Sequence, residues 1–231
     1  MSSSLSLSIT NFGAAVWRAD QLGCPVGATV ATGFPKLNAE FPGGGWPVGA
    51  ISEILLAQYG QHEWRLLLPA LRRAANAPVA LVGAPYAPFG PGLAAQGFDA
   101  RRLLLVDAAT PTARLWAVEQ TLRCAVVVAV LAWLPQVRPE QLRRLQITAH
   151  THNKLLFVLR PARAVAESSP AVLRIQVMPQ QDSDALLVHI LKRHGPPLDQ
   201  PLSLPLGNAR MAALLSLTGE RNALDCLATA A

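Results

Sequence analysis

Stretches of unbroken apolar sequence alternate along this chain with stretches of helical periodicity, and no other feature restricts its fold as much. Apolar runs fall at 51–56, 78–83, 103–107, 125–134 and 154–160, and helical patterns lie between them near 61–75, 89–97, 111–123 and 138–150. A strand that is apolar at every position must be covered on both faces, and a helix between two such strands is the crossover that brings them parallel. The rhythm predicts an α/β domain with a mostly parallel sheet flanked by helices. Beyond residue 170 it changes. Leu173, Ile175 and Val177 alternate with Arg174 and Gln176, and 185–193 offers a second strand after the turn-prone 180–184. Alternation marks a half-buried strand, so an antiparallel C-terminal hairpin is expected at the sheet edge.

Local signals place two helix starts. Thr110 followed by Pro111 is an N-cap with proline at the first helical position, and Leu115, Val118 and Leu122 line one face. Pro139 opens the next helix, whose buried stripe of Leu142, Leu145 and Ala149 turns Arg143 and Arg144 away from the core. Residues 1–31 read as an N-terminal arm with a short helix at 14–22, residues 32–206 as the core domain, and 207–231 as a last helix, 208–217, with a tail. Pro201 and Pro205 are expected to keep the segment before that helix extended.

With 231 residues and 51% hydrophobic content, the chain can bury a large core. No window approaches the ~18 consecutive apolar residues of a membrane span. The start, Met1-Ser2-Ser3-Ser4-Leu5, lacks the basic region and apolar core of a secretory signal, so the cytoplasm is the expected location. The longest apolar run, 124–134, is expected as a buried strand. Cys24, Cys124 and Cys226 are scattered and expected as reduced, mostly structural thiols. The formal charge is +6, and its excess sits in 101–174, where 11 basic side chains accompany 4 acidic ones. Such a patch suits an acidic protein partner or a weak DNA contact, although no aromatic-rich nucleic-acid motif accompanies it.

Ahead of the first long strand lies a Gly- and Pro-dense segment. It reads Thr32-Gly33-Phe34-Pro35-Lys36-Leu37-Asn38, then Pro42-Gly43-Gly44-Gly45-Trp46-Pro47-Val48-Gly49, and the strand then feeds the loop Ala57-Gln58-Tyr59-Gly60-Gln61-His62-Glu63-Trp64. A strand, a loop and an apolar-periodic helix in that order are where a phosphate-loop ATPase holds its nucleotide. The pattern T-G-x-x-x-L-D, then G-G-x-P-x-G-x-x-x-E-I, of the RecA-like recombinase core is met by Thr32, Gly33, Leu37, Asn38, Gly44, Gly45, Pro47, Gly49, Glu53 and Ile54. Over roughly 14–206 the chain resembles that core, which implies a RecA-like phosphate-loop NTPase fold. Val16-Trp17-Arg18, the 42–47 turn, Glu53-Ile54-Leu55, 66–71 and 195–198 look like the ImuA family, a non-recombinase branch of that group. Residues 51–71 and the strands after them also resemble the SulA family.

The chain departs from the ATPases at the loop itself. Triphosphate is held there by backbone N–H groups freed by glycines, by a Lys, and by a hydroxyl on magnesium. Carried over by position, the Lys falls on His62 and the hydroxyl on Glu63, and a shift of one residue puts Gln61 and His62 there instead. Gly60 is the one glycine of the loop, and Glu63 aims a carboxylate where phosphate would lie. Strand 125–133 carries no carboxylate for magnesium, and the position of the water-activating Glu after Val82 falls on Pro85. Gly60, Gln61, His62 and Glu63 are thus expected to form a degenerate nucleotide loop with no hydrolysis, cofactor or metal. The backbone donors of 57–62 must then bond to protein, to water or to a partner's carboxylate.

Other residues divide between core and surface. His150 and His152 end a helix, where its dipole favours them, and lack the spacing of a zinc pair. No nucleophile elbow or cysteine dyad signature is present. Trp116 and Trp133 are expected in the core. Trp46 and Trp64 are expected as exposed anchors for a partner, with Tyr59 and 86–89 adding aromatic area. Arg101, Arg102, Arg143, Arg144 and Lys154 are the electrostatic candidates for a partner or DNA surface. The ImuA resemblance implies a catalytically silent accessory protein of SOS-induced translesion DNA synthesis. It would dock on an ImuB-like Y-family polymerase homologue, an error-prone polymerase and RecA itself, with no membrane involved. The SulA resemblance implies instead a cell-division inhibitor that binds FtsZ. A cryptic NTPase is the third reading, and ATP-dependent stabilisation would reveal it.

Overall fold

The computed structural model describes residues 27–60, 62–180, 184–196 and 198–206. The expected helices at 14–22 and 208–217, together with Cys24, Cys226 and Gln61, lie outside the described residues. A short ribbon of β1 (Thr29–Val30) and β2 (Trp46–Pro47) flanks helix α1 (Pro35–Glu40). Then follow β3 (Ala50–Leu56), α2 (Glu63–Arg73), β4 (Val79–Val82), α3 (Gly90–Ala95), β5 (Leu103–Val106), α4 (Pro111–Arg123), β6 (Ala129–Trp133), α5 (Pro139–Thr151) and β7 (Leu155–Pro161). Strands β8 (Leu173–Pro179), β9 (Ala185–Lys192) and β10 (Leu202–Pro205) complete the chain.

Eight strands form one sheet in the order β10-β9-β8-β3-β7-β6-β4-β5. All neighbours from β8 to β5 are parallel, and β9 and β10 are antiparallel additions. The fold is therefore α/β with a mostly parallel sheet and an antiparallel C-terminal hairpin, consistent with a RecA-like core.

Strand geometry sorts the side chains onto two faces. Val79, Leu81, Leu131, Phe157 and Leu159 join one core cluster with Leu66, Leu67 and Leu71 of α2. Ala80, Val82, Val130, Leu156 and Val158 join a second with Val118 and Leu122 of α4 and Leu142 and Leu145 of α5. The unbroken apolar runs of the sequence are thus strands covered on both sides, as β4, β6 and β7 show. Leu173, Ile175, Val177, Leu186 and Val188 belong to the first cluster alone, which accounts for the alternation in β8 and β9.

Four expectations need correction. Only Ala129–Trp133 of the 124–134 run is strand, because the stretch before it turns across the surface, where Val126 and Cys124 are exposed. Trp116 lies 63% exposed on α4, since Leu115 and Val118 turn inward. The hairpin is not the sheet edge, because the segment held by Pro201 and Pro205 pairs with β9 and becomes the outermost strand. The fourth is Trp46, which packs edge-on against Phe41 and Phe157 at centroid distances of 5.0 and 5.2 Å and is 0% exposed, so it is core and not a partner anchor. Among the described residues no helix is long and apolar enough to cross a membrane.

Candidate functional site

In open α/β sheets, ligands bind outside the carboxyl ends of the strands. Here the loop after β3 lies beside the carboxyl ends of β4 and β6, since Gly60, Glu63 and Trp64 share a cleft with Pro85, Tyr86 and Trp133. Gly60 holds φ +87°, a left-handed conformation that glycine adopts without strain, and a Cβ there would sit 2.9 Å from the Tyr86 ring. Both constraints fix glycine at this position.

Glu63 opens α2 and is 1% exposed. Its carboxylate turns back into the loop, where one oxygen accepts the Gly60 N–H at 2.5 Å and the other accepts the His62 N–H at 3.1 Å. These are donors that a helix start offers to an anion, and the chain's own side chain takes them. His62 is the N-cap residue, yet its side chain makes no capping bond, and both ring nitrogens are shut from solvent without a hydrogen-bond partner. Burial, and then the nearby Arg65, push its pKa below the usual value of 6.5, against an opposing pull from Glu63. His62 is therefore neutral at pH 7.

A magnesium nucleotide does not fit this set of groups. The loop's N–H groups at Gly60 and His62 already face a carboxylate, and a phosphate brought to the same place would meet that negative charge at contact distance. At ~4 Å and an effective dielectric near 20 the repulsion is about 4 kcal/mol per unit charge. No lysine is at hand either. Lys154 bonds the carbonyls of Ala125 and Val127, Lys192 bonds that of Ser169, and Lys36 lines a different groove. Pro85, at the position of the water-activating Glu, lines the cleft, and β6 carries no carboxylate. Among the described residues no group of three or more His, Cys, Asp or Glu could hold a metal ion.

The cleft has a volume of about 330 Å³ and an aromatic rim. Tyr86 is 69% and Phe89 75% exposed, Trp64 is half-buried, and the buried indole N–H of Trp133 finds no partner. Tyr86 and Phe89 are exposed, as expected of 86–89, whereas Trp64, expected as exposed, and Tyr59 are half-buried against the core. The Tyr59 hydroxyl has no partner, and burial pushes its pKa up to about 12, against the influence of Arg163 and Arg160.

The basic candidates scatter, and most are engaged. Arg101 pairs with Asp99 in the turn before β5. Arg102 donates to the carbonyls of Ala77 and Ala75 and lies over the Phe98 ring at 4.8 Å. Arg144 on α5 and Arg123 on α4 both pair with Glu119. Lys154 is bound to backbone, as above. Arg143 is exposed.

A buried charge network escaped the sequence reading. Glu53, 0% exposed on β3, meets Arg160 of β7 at 2.8 Å and Arg174 of β8 at 3.0 Å. The second contact is close enough for ion pairing but is not aligned as a hydrogen bond, since Glu53 Oε2 and Arg174 Nε lack partners by that criterion. Arg160 also reaches Glu167 at 2.5 Å. The available signal was Glu53 and Arg160 in strands β3 and β7, which are otherwise apolar on that face.

Fold and loop together define a mostly parallel α/β protein whose helix-start anion site is closed by its own carboxylate. No protein-family model matches the chain, and no curated protein matches it.

Proposed function

We propose that the chain is a non-catalytic, RecA-like accessory protein of SOS-induced translesion DNA synthesis. It acts in the cytoplasm by docking to an ImuB-like Y-family polymerase homologue and the error-prone polymerase that works with it. The observation that carries the non-catalytic part is the Glu63 carboxylate seated on the Gly60 and His62 N–H groups. The translesion part rests on the resemblance of the 42–47 turn, Glu53-Ile54-Leu55, 66–71 and 195–198 to the ImuA family. Docking needs an exposed surface, and the rim of Trp64, Tyr86 and Phe89 supplies aromatic anchors next to the closed loop.

Two measurements test the reading. Affinity capture of the full chain from DNA-damaged cells is expected to recover the polymerase homologue, with recovery reduced by Tyr86→Ser and Phe89→Ser. Recovery of FtsZ in its place favours the division-inhibitor reading and overturns this one. Melting curves with and without magnesium-ATP are expected to coincide. A ligand at 100 times its Kd would stabilise the fold by about 2.7 kcal/mol, so nucleotide binding of ordinary affinity would be visible.

A further inference from the structure

The two edges of the sheet are finished differently. Strand β10 is bracketed by Pro201 and Pro205, which donate no backbone hydrogen bond and so blunt that edge against further pairing. Strand β5, at the opposite edge, carries none of the devices that keep an edge strand single. It consists of Leu103, Leu104, Leu105 and Val106, its register with β4 is regular, and among the described residues nothing pairs with its outer side. Leu104 is 41% and Leu105 56% exposed. Since neighbours along a strand face opposite sides of the sheet, β5 is open on both faces as well as along its edge.

The backbone determines what kind of partner fits there. The Gly83 amide donates to the Val106 carbonyl at 3.0 Å, so Leu104 and Val106 direct their polar groups to β4, and Leu103 and Leu105 direct theirs outward. Groups at that spacing are satisfied by another strand. The charges at the two ends select which strand. Arg101, just before β5, has a side chain 91% exposed, and Asp107, just after it, is exposed and in no ion pair among the described residues. Opposite charges at opposite ends make the strand complementary to itself when it runs antiparallel. We propose that β5 pairs with the β5 of a second copy about a two-fold axis through Leu104, continuing one sheet across both chains. Leu104 then faces its own copy, Leu103 and Leu105 of opposite chains exchange about four backbone hydrogen bonds, and Arg101 of each chain comes beside Asp107 of the other. Moving the axis to Leu105 draws those charges apart by two residues. Such exposed ion pairs choose the register, while the strand pairing and the leucines hold the dimer. This association is independent of the function proposed above.

Sedimentation velocity of the full chain at micromolar concentrations is expected to show a dimer. Leu104→Lys sets two ammonium groups directly opposite each other and is expected to weaken it about tenfold or more, with an unchanged circular dichroism spectrum that separates dissociation from unfolding. Asp107→Arg is expected to weaken the dimer several-fold, and adding Arg101→Asp to restore it, a rescue that misfolding or non-specific association would not give. Ile147→Ser removes a residue that is 67% exposed on α5, beside the central strand β3, and should leave the dimer intact. In a background without the native cysteines, Leu104→Cys is expected to cross-link on oxidation and Leu105→Cys is not, because residues directly opposed in this way lie about 4.5 Å apart. A monomer at every concentration overturns the proposal, as does a dimer that neither Leu104→Lys nor Asp107→Arg weakens. Cross-linking through Leu105→Cys in place of Leu104→Cys overturns the register.

Discussion

Glu63 decides what the loop after β3 can hold, and its contribution can be measured. A carboxylate in a first helical turn gains about 0.3–1 kcal/mol from the helix dipole. Two N–H groups left without an acceptor cost more, about 1–3 kcal/mol each when buried. Because Gly60 is partly open to solvent, Glu63→Ala is expected to lower stability by about 2 kcal/mol in urea titration, at the lower end of that scale. Glu63→Gln keeps one acceptor and loses the charge, so about half that loss is expected. A silent Glu63→Ala would mean that the carboxylate does not occupy the loop in solution. His62 sets a pH dependence of known sign. Its folded pKa lies below the unfolded 6.5, so the unfolded state binds the extra proton, and stability is full above 6.5 and falls as pH drops through the lowered folded value. His62→Leu removes the titration, and its melting temperature is expected to change less than that of the wild type over that window. The sequence placed Glu63 in the phosphate position because its residue type is wrong there. It left open whether protein, water or a partner would satisfy the loop, because the fold-back of the carboxylate depends on a side-chain turn of three bonds, which spacing does not encode.

At the scale of elements, residue patterns report burial and not position in the sheet. The unbroken runs at β4, β6 and β7 and the alternation in β8 and β9 were legible because covering by one helical layer or two leaves a direct mark on composition. Strand β5 shows the limit. Its apolar run predicts full burial, yet as the edge strand it leaves Leu104 and Leu105 exposed. Trp46 was misread for a related reason, since a tryptophan between glycine and proline looks like a loop tip until Phe41 and Phe157 are seen to close around it. The Thr32-Gly33 motif belongs to this scale too. Thr32 donates its amide and hydroxyl to Asn38 Oδ1 at 2.8 and 2.7 Å and so ties the chain into α1. Gly33 has φ +95°, and a Cβ there would lie 2.3 Å from that of Pro69 on α2. Gly33→Ala should therefore separate α1 from α2 and destabilise the fold by about 2 kcal/mol or more, which thermal denaturation will show. The buried ion network gives a sharper test. Glu53→Gln leaves Arg160 with Glu167 alone and Arg174 without a carboxylate, and removing one partner of a buried pair costs about 3–5 kcal/mol.

For the whole molecule, the question is what the +6 charge is for. The excess in 101–174 resembles a nucleic-acid footprint until its side chains are followed to their partners. Arg101, Arg123, Arg144, Arg160 and Arg174 pair with carboxylates, and Arg102, Arg114 and Lys154 are tied to backbone carbonyls. Much of the positive charge therefore holds helices and loops to the sheet. Arg138 before α5, Arg143 on α5 and Arg163 after β7 stay exposed, and none of the three is drawn into an ion pair among the described residues. Each phosphate contact contributes about −0.9 to the slope of log K against log salt on duplex DNA, so these three arginines give a slope near −3, far shallower than that of a dedicated DNA-binding protein. Fluorescence anisotropy of a labelled duplex between low and physiological salt should show weak binding with that slope, and Arg143→Glu should bring it toward about −2. A slope of −5 or steeper would mean that residues now paired, Arg144 and Lys154 first among them, release their partners to meet phosphate. The basic region would then be a true nucleic-acid surface and not an internal scaffold.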